Sequence, residues 1–276
     1  MGRQRARLRH VKFALGALIT TLFAAVAILS LAWTPEPPAR MNILSKLKPP
    51  LTSGLLGTDH FGRDVASLLM AGAWNSLSIA VVAVAFGASA GVLTGLVAAR
   101  QRGLAGSVLM RACDVIFAFP PVLSAMVLGV LMGAGATSAI VAIAVFMVPV
   151  FARLTRGVAM QVGALDYVLV ARSIGRDEAG IMAAHVLPNI AGQIVVQVMI
   201  QLGLAILTEA GLSFLGLGLA PPAPTWGRML AEAQTYLEVA PWLALAPGLA
   251  IATTVLGFSL LGDGLRDILD PRDKTS

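Results

Sequence analysis

The stretch SLSIAVVAVAFGASAGVLTGLVAA, from Ser76 to Ala99, runs 24 residues without a charged side chain and stops at Arg100 and Arg102. A helix needs about 20 apolar residues to cross the hydrocarbon core of a bilayer, so this segment predicts a membrane span. The same criterion, applied outward along the chain, finds five more at about Phe13–Trp33, Gly106–Met132, Gly135–Ala152, Ile190–Leu217 and Pro241–Gly262. Composition agrees: 57% of the 276 residues are hydrophobic and 12% are charged, where a soluble domain carries about a quarter charged residues. Mean hydropathy is +0.84. A soluble protein, a disordered chain and a disulfide scaffold are excluded, the last because Cys113 is the single cysteine. The expected fold is all-α and polytopic, with six transmembrane helices.

The chain is also basic, with 20 Lys and Arg against 14 Asp and Glu. So few charges on so apolar a body cannot form a phosphate-binding face, so nucleic acid is not an expected partner. Basic residues instead report orientation, because cytoplasmic loops hold the excess of Lys and Arg. Six spans put the N-terminus, the turn near Arg102, residues 153–189 and the tail on one side, with fifteen basic residues. The other side carries Arg40, Lys46, Lys48, Arg63 and Arg228. Both termini are expected in the cytoplasm, with anionic lipid headgroups beside them. Thr34–Pro50, with five prolines, predicts an extended external linker. The organisation expected is residues 1–75 as tail, first span and external loop, and 76–276 as the main membrane domain.

Enzyme motifs fail on spacing. Gly57 and Gly62 are set like a phosphate loop, but Arg63-Asp64 stands where Lys-Ser/Thr is needed. Gly262-Asp263-Gly264 lacks the third glycine of a dinucleotide fingerprint, and Gly211–Leu215 lacks the second glycine of a nucleophile elbow. His10, His60 and His185 all fall outside the spans, which leaves no Ser–His pair within the membrane and no metal-ligand cluster. No catalytic residue, metal or cofactor is assigned to this chain.

Residues 153–189 are the informative loop. Tyr167–Ile174 predicts a short helix closed by Gly175; Asp177 or Glu178 then opens a second helix, which Pro188 is expected to end. A helix–turn–helix on the cytoplasmic side can plug a groove in another protein. The segment resembles the "EAA" coupling loop of binding-protein-dependent ABC transporter permeases: Gly175, Leu187 and Pro188 match the motif. Leu169-Val170-Ala171 stands in place of Glu-Ala-Ala, and His185 in place of an isoleucine.

Two further segments narrow the resemblance to the dipeptide/oligopeptide/nickel permease family, second-subunit type. They are Leu56-Gly57-Thr58-Asp59-His60-Phe61-Gly62-Arg63-Asp64 and Leu207–Gly218, the latter followed by Pro221-Pro222 and Thr225-Trp226-Gly227. The tail Leu261–Arg272 extends the match. The resemblance implies a type I ABC importer permease and a homologous second membrane subunit. It implies two ATP-binding subunits below, holding the ATP and magnesium, and an external solute-binding protein above. Di- or oligopeptide import is implied, with nickel or a nickel chelate as the alternative. A secondary transporter or channel is disfavoured, since no second half mirrors Glu209. Coupling to the ATPase is implied at Tyr167, Leu169, Ala171, Gly175, Ile181, Leu187 and Pro188.

Polar residues inside spans usually face a cavity or a partner helix. The fifth span carries Gln193, Gln197, Gln201, Glu209 and Ser213 on an i, i+4 series; pathway lining is expected of Gln197, Gln201, Glu209 and Ser213, against interhelical hydrogen bonding as the alternative. Gly87, Gly91 and Gly95 predict close helix packing. Arg111 and Asp114, at i, i+3, predict an ion pair, as do Asp263, Arg266, Asp267 and Asp270 in the tail. Pro120-Pro121 predicts a kink. Outside, Gly57, Thr58, Asp59, Gly62, Arg63 and Asp64 predict either a turn with a helix cap or a contact to another subunit.

Overall fold

A computed structural model describes residues 2–101 and 103–269. Arg102, Asp270, Pro271 and Arg272 lie outside the described residues, as do the side chains of Arg3, Arg5, Arg7 and Arg9. The chain is all-helical. Among the described residues ten α-helices follow one another: α1 (Gly2–Leu29), α2 (Val65–Arg100), α3 (Leu104–Ala118), α4 (Pro121–Met132), α5 (Ala136–Val162), α6 (Asp166–Ser173), α7 (Glu178–Ile181), α8 (Leu187–Phe214), α9 (Trp226–Ala233) and α10 (Trp242–Leu269). Helices α1, α2, α5, α7 running into α8, and α10 are long and apolar enough to cross a membrane.

The expected third span is not one rod. Its chain turns by 91° between α3 and α4, and counting that pair as one crossing gives six. The cause is local: Phe119 and Pro120 are extended at ψ 136° and 127°, since a residue before proline is driven out of the helical region. Pro121 then opens α4, where a missing N–H costs nothing. The two prolines therefore break the helix, a larger effect than the expected kink.

Helix boundaries also move. The second helix starts at Val65, eleven residues before Ser76, because the Asp64 side chain accepts from the Ser67 N–H and caps it. Helix α5 continues through Arg153 to Val162, so the first third of the expected loop 153–189 is helix. Nor does Pro188 end a helix. Residues Met182–Val186 form one π-helical turn in which the Leu187 N–H reaches the Met182 carbonyl, and α7 runs through it into α8. Proline in the first turn of α8 is tolerated because the turn before it is already rewired.

The core forms where α2 lies along α5. Gly87, Gly91 and Gly95 face Met147, Phe151 and Ala152 so closely that a Cβ on any of them would enter α5. The expected packing role is thus met within this chain. Ala80, Ala83, Phe151, Ala205 and Ile206 are fully buried at its centre. Helix α8 closes the core from one side with α10 against it, α1 packs along α10, and α3 and α4 lean on α5. The expected external linker is folded: the backbone N–H groups of Asn42 and Leu47 donate to Phe61 and Asp59 carbonyls, and Thr58 N–H to that of Lys48.

Candidate functional site

Three places gather the polar and exposed apolar residues that the bundle does not need. The first is the α6–α7 hairpin. Val168, Ala171 and Ile181 are buried with Ala159, Met182, Val186 and Ile190 in a small core of their own. The turn is a Schellman closure, with Arg176 N–H donating to the Ala171 carbonyl and Gly175 N–H to that of Arg172. Gly175 sits at φ +85°, a conformation that suits glycine, although nothing lies near the position of a Cβ. Asp177 caps α7 by accepting from the Gly180 N–H at 3.0 Å. Arg172 donates to Glu178 at 2.5 and 3.1 Å, and this hydrogen bond raises the guanidinium pKa above its ordinary value. The hairpin is therefore braced from inside, and its outer face is apolar: Tyr167, Leu169, Val170 and Ile174 are exposed, Ile174 by 76%.

The coupling residues split accordingly. Tyr167 and Leu169 present themselves outward, whereas Ala171 and Ile181 act as core, Leu187 is half-buried and Pro188 is exposed in the first turn of α8. Val170 and Ile174 join the outward face without a motif to mark them; only the i, i+4 spacing of two large aliphatics in a short helix could have pointed to them. Beside the face, Arg176 Nη1 and His185 Nε2 are 2.7 Å apart.

The second place is a cavity of about 810 Å³ between the ends of α5, α8 and α10. Asn189, Gln193, Gln197 and Arg266 line it together with Leu154, Ile200 and Leu269. Gln197, one of the four residues expected to line a pathway, lines this cavity, and so does Gln193. The other three expected lining residues do not. Gln201, Glu209 and Ser213 are buried inside the bundle, with Ser213 Oγ donating to Glu209 Oε1 at 2.6 Å and Glu209 fully enclosed. Each step of four residues turns about 40° past a full circle, so the series rotates from the cavity into the core. The Ser213–Glu209 bond lies within α8 itself, not between helices as the alternative reading expected.

The third place is the 57–64 motif, where it meets α9. Asp59 Oδ1 accepts from the Phe61 and Arg63 N–H groups at 2.9 and 2.8 Å, and Oδ2 from Arg63 Nε at 2.6 Å. Arg63 Nη2 continues to Glu232 Oε2 at 3.0 Å, and Arg228 Nε meets Glu232 Oε1 at 2.8 Å. Asp64 accepts from Ser67, whose Oγ accepts from Glu36 N–H. Thr58 Oγ1 donates to the Ser45 carbonyl and accepts from Lys48 N–H. Gly57 and Gly62 adopt φ +78° and +71°, and a Cβ at Gly62 would strike the Asn42 carbonyl. The motif is thus a turn and helix cap clasped to α9, and its side chains bond within the chain. Asp59, His60 and Glu232 bring ligand-type atoms within 4.8 Å of one another. Every one of those carboxylate oxygens already accepts an N–H, so a cation there would displace two guanidiniums. Glu232 lies 169 residues from Arg63, and no sequence signal joins them.

Two expected pairs form differently. Asp114 pairs with Arg153 of α5 at 2.6 Å rather than with Arg111, because the exposed guanidinium reaches across from the neighbouring helix and also covers Phe117. Among the described residues, Arg266 makes no ion pair with Asp263 or Asp267; the remaining tail acid, Asp270, lies outside them.

Comparisons with known proteins converge. The family described as "Binding-protein-dependent transport system inner membrane component" matches residues 91–274. A glutathione transport system permease protein, GsiD, from Pectobacterium atrosepticum is 44% identical over 226 residues, covering 82% of this chain and 75% of the relative. The Escherichia coli GsiD is 44% identical over 218 residues, 79% of this chain and 72% of its own length. Two structures of the MetNI methionine ABC transporter in inward facing conformations share the fold, with TM-scores of 0.61 and 0.56 at 18% and 19% identity. They cover 74% and 70% of this chain and 97% and 94% of theirs.

Proposed function

The chain belongs to the family of binding-protein-dependent transport system inner membrane components, and on that premise we propose that it is the second permease subunit of an ATP-driven importer of small peptide-like solutes. A homologous subunit shares the pathway with it. Two ATPase subunits grip the α6–α7 hairpin from the cytoplasm, where ATP and magnesium are bound, and an external solute-binding protein delivers the cargo. Both termini are cytoplasmic, an orientation supported by the fifteen-to-five split of basic residues.

The observation that carries this reading is the hairpin's outer face. Four large side chains, Tyr167, Leu169, Val170 and Ile174, stand in water on a scaffold that is internally satisfied. Contiguous exposed apolar surface on a braced element marks a protein contact, and in this family the nearby partner is an ATPase. Leu169 in place of the motif's acid makes that contact hydrophobic here. Force is expected to travel from the hairpin through the continuous α7–α8 rod, since the π turn joins them without a break. Peptide-like cargo is favoured over nickel by the relatives named for glutathione.

The test replaces Gly175 with valine in the intact importer and follows uptake together with ATPase co-purification. Loss of both is expected; normal values for both would overturn the coupling assignment. Supplying radiolabelled glutathione, dipeptides or nickel then separates the substrate classes.

A further inference from the structure

The cavity at the cytoplasmic end of α8 has a one-sided charge. Asn189, Gln193 and Gln197 supply amide donors and acceptors, and Arg266 supplies a permanent cation with five N–H donors. Among the described residues no carboxylate lines it: Asp263 and Asp267 do not reach the cavity, and Arg266 makes no hydrogen bond or ion pair there. A volume of about 810 Å³ lies within the roughly 300–1,000 Å³ usual for small-molecule sites.

We propose that Arg266 is the anion-recognising residue of this cavity, taking a carboxylate of the solute while Asn189, Gln193 and Gln197 pair with its amide groups. The inference rests on the proposed function and takes the cavity lined by Gln197 to lie on the solute's path. Guanidinium matches a carboxylate with two parallel N–H donors, and a positive charge near apolar walls attracts anions and repels free divalent cations. The site thus selects carboxylate-bearing solutes, peptides among them, as they leave toward the cytoplasm.

The experiment uses the importer purified with its own partner subunits in nanodiscs, without the binding protein, so that only the membrane site is read. The probes are S-methylglutathione and its diethyl ester, which has no free carboxylate. Wild type is expected to retain the acid over the ester. Arg266→Gln should lose about tenfold in affinity for the acid and nothing for the ester, with Arg266→Lys in between. Unchanged binding of the acid to Arg266→Gln would overturn the assignment, as would an equal loss for acid and ester. So would a loss that occurs only with phosphatidylglycerol present and not in phosphatidylcholine alone, which would make a lipid headgroup the arginine's partner. A second arm keeps the path reading separate. Gln197→Cys, in a chain whose native Cys113 is buried, should react with a membrane-impermeant maleimide and be protected by S-methylglutathione. Protection alongside normal Arg266→Gln binding removes the arginine and keeps the path; lack of protection removes both.

Discussion

The two ends of this molecule are finished in opposite ways. At the α9 end, Asp59, Arg63, Glu232 and Arg228 form a chain of ion pairs in which every carboxylate oxygen is used, and Trp226 is fully buried with its indole N–H donated to the Leu69 carbonyl. At the other, the α6–α7 hairpin is braced by the Arg172–Glu178 pair and the Asp177 cap and leaves four large apolar side chains exposed. A surface closed on itself holds a bundle together, whereas an apolar face left open on a rigid support asks for a partner. The motif at 57–64, expected as a turn with a helix cap or a subunit contact, spends its side chains on bonds within the chain, while the hairpin keeps its apolar face exposed.

Mutations should separate the two ends. The largest effect is expected at the α9 end: Asp59→Ala leaves Arg63 buried without its closest carboxylate, and breaking a buried pair costs about 3–5 kcal/mol. Folded yield by size-exclusion chromatography should collapse while any surviving protein keeps its ATPase contact. Next, Gly175→Val forces a β-branched residue to φ +85°, at about 1–3 kcal/mol; the hairpin should lose protection in hydrogen exchange while the external clasp keeps its own. A third variant, Ile174→Ser, should leave thermal stability within about 0.5 kcal/mol, as for other exposed sites, yet weaken co-purification of the ATPase severalfold. If Ile174→Ser destabilised the chain as Asp59→Ala does, the contrast between a closed and an open end would fail. The smallest effect belongs to Glu178→Gln, which removes a partly exposed ion pair worth about 0.2–1 kcal/mol after screening and should be visible only as faster local exchange around Arg172.

Much of the fold was legible because hydropathy is additive along a helix. Residues 76–99, the apolar runs after Phe13 and Ile190, and the close-packing glycines at 87, 91 and 95 all needed only local reading. Boundaries were less so: Ser67 donating to Asp64 extends α2 outward, and the π turn at Met182–Val186 carries a helix past Pro188. Neither leaves a periodic trace. The polar series on α8 shows the same limit. Its spacing was visible, yet which members meet a cavity depends on where α5 and α10 end, so Gln197 and Gln193 line it while Glu209 is enclosed.

The sequence by itself determined that this chain lives in a membrane, that it is helical, how its basic residues divide, and which family it resembles. These follow from composition and from short motifs whose physics is local. Tertiary structure alone decided that Glu232 completes the Arg63 pair 169 residues away, that Asp114 chooses Arg153 over Arg111, and that Arg266 shares a cavity with three amides of another helix. Each depends on the packing of helices distant in sequence, and a hydrogen bond or a cavity wall exists only once those helices are side by side.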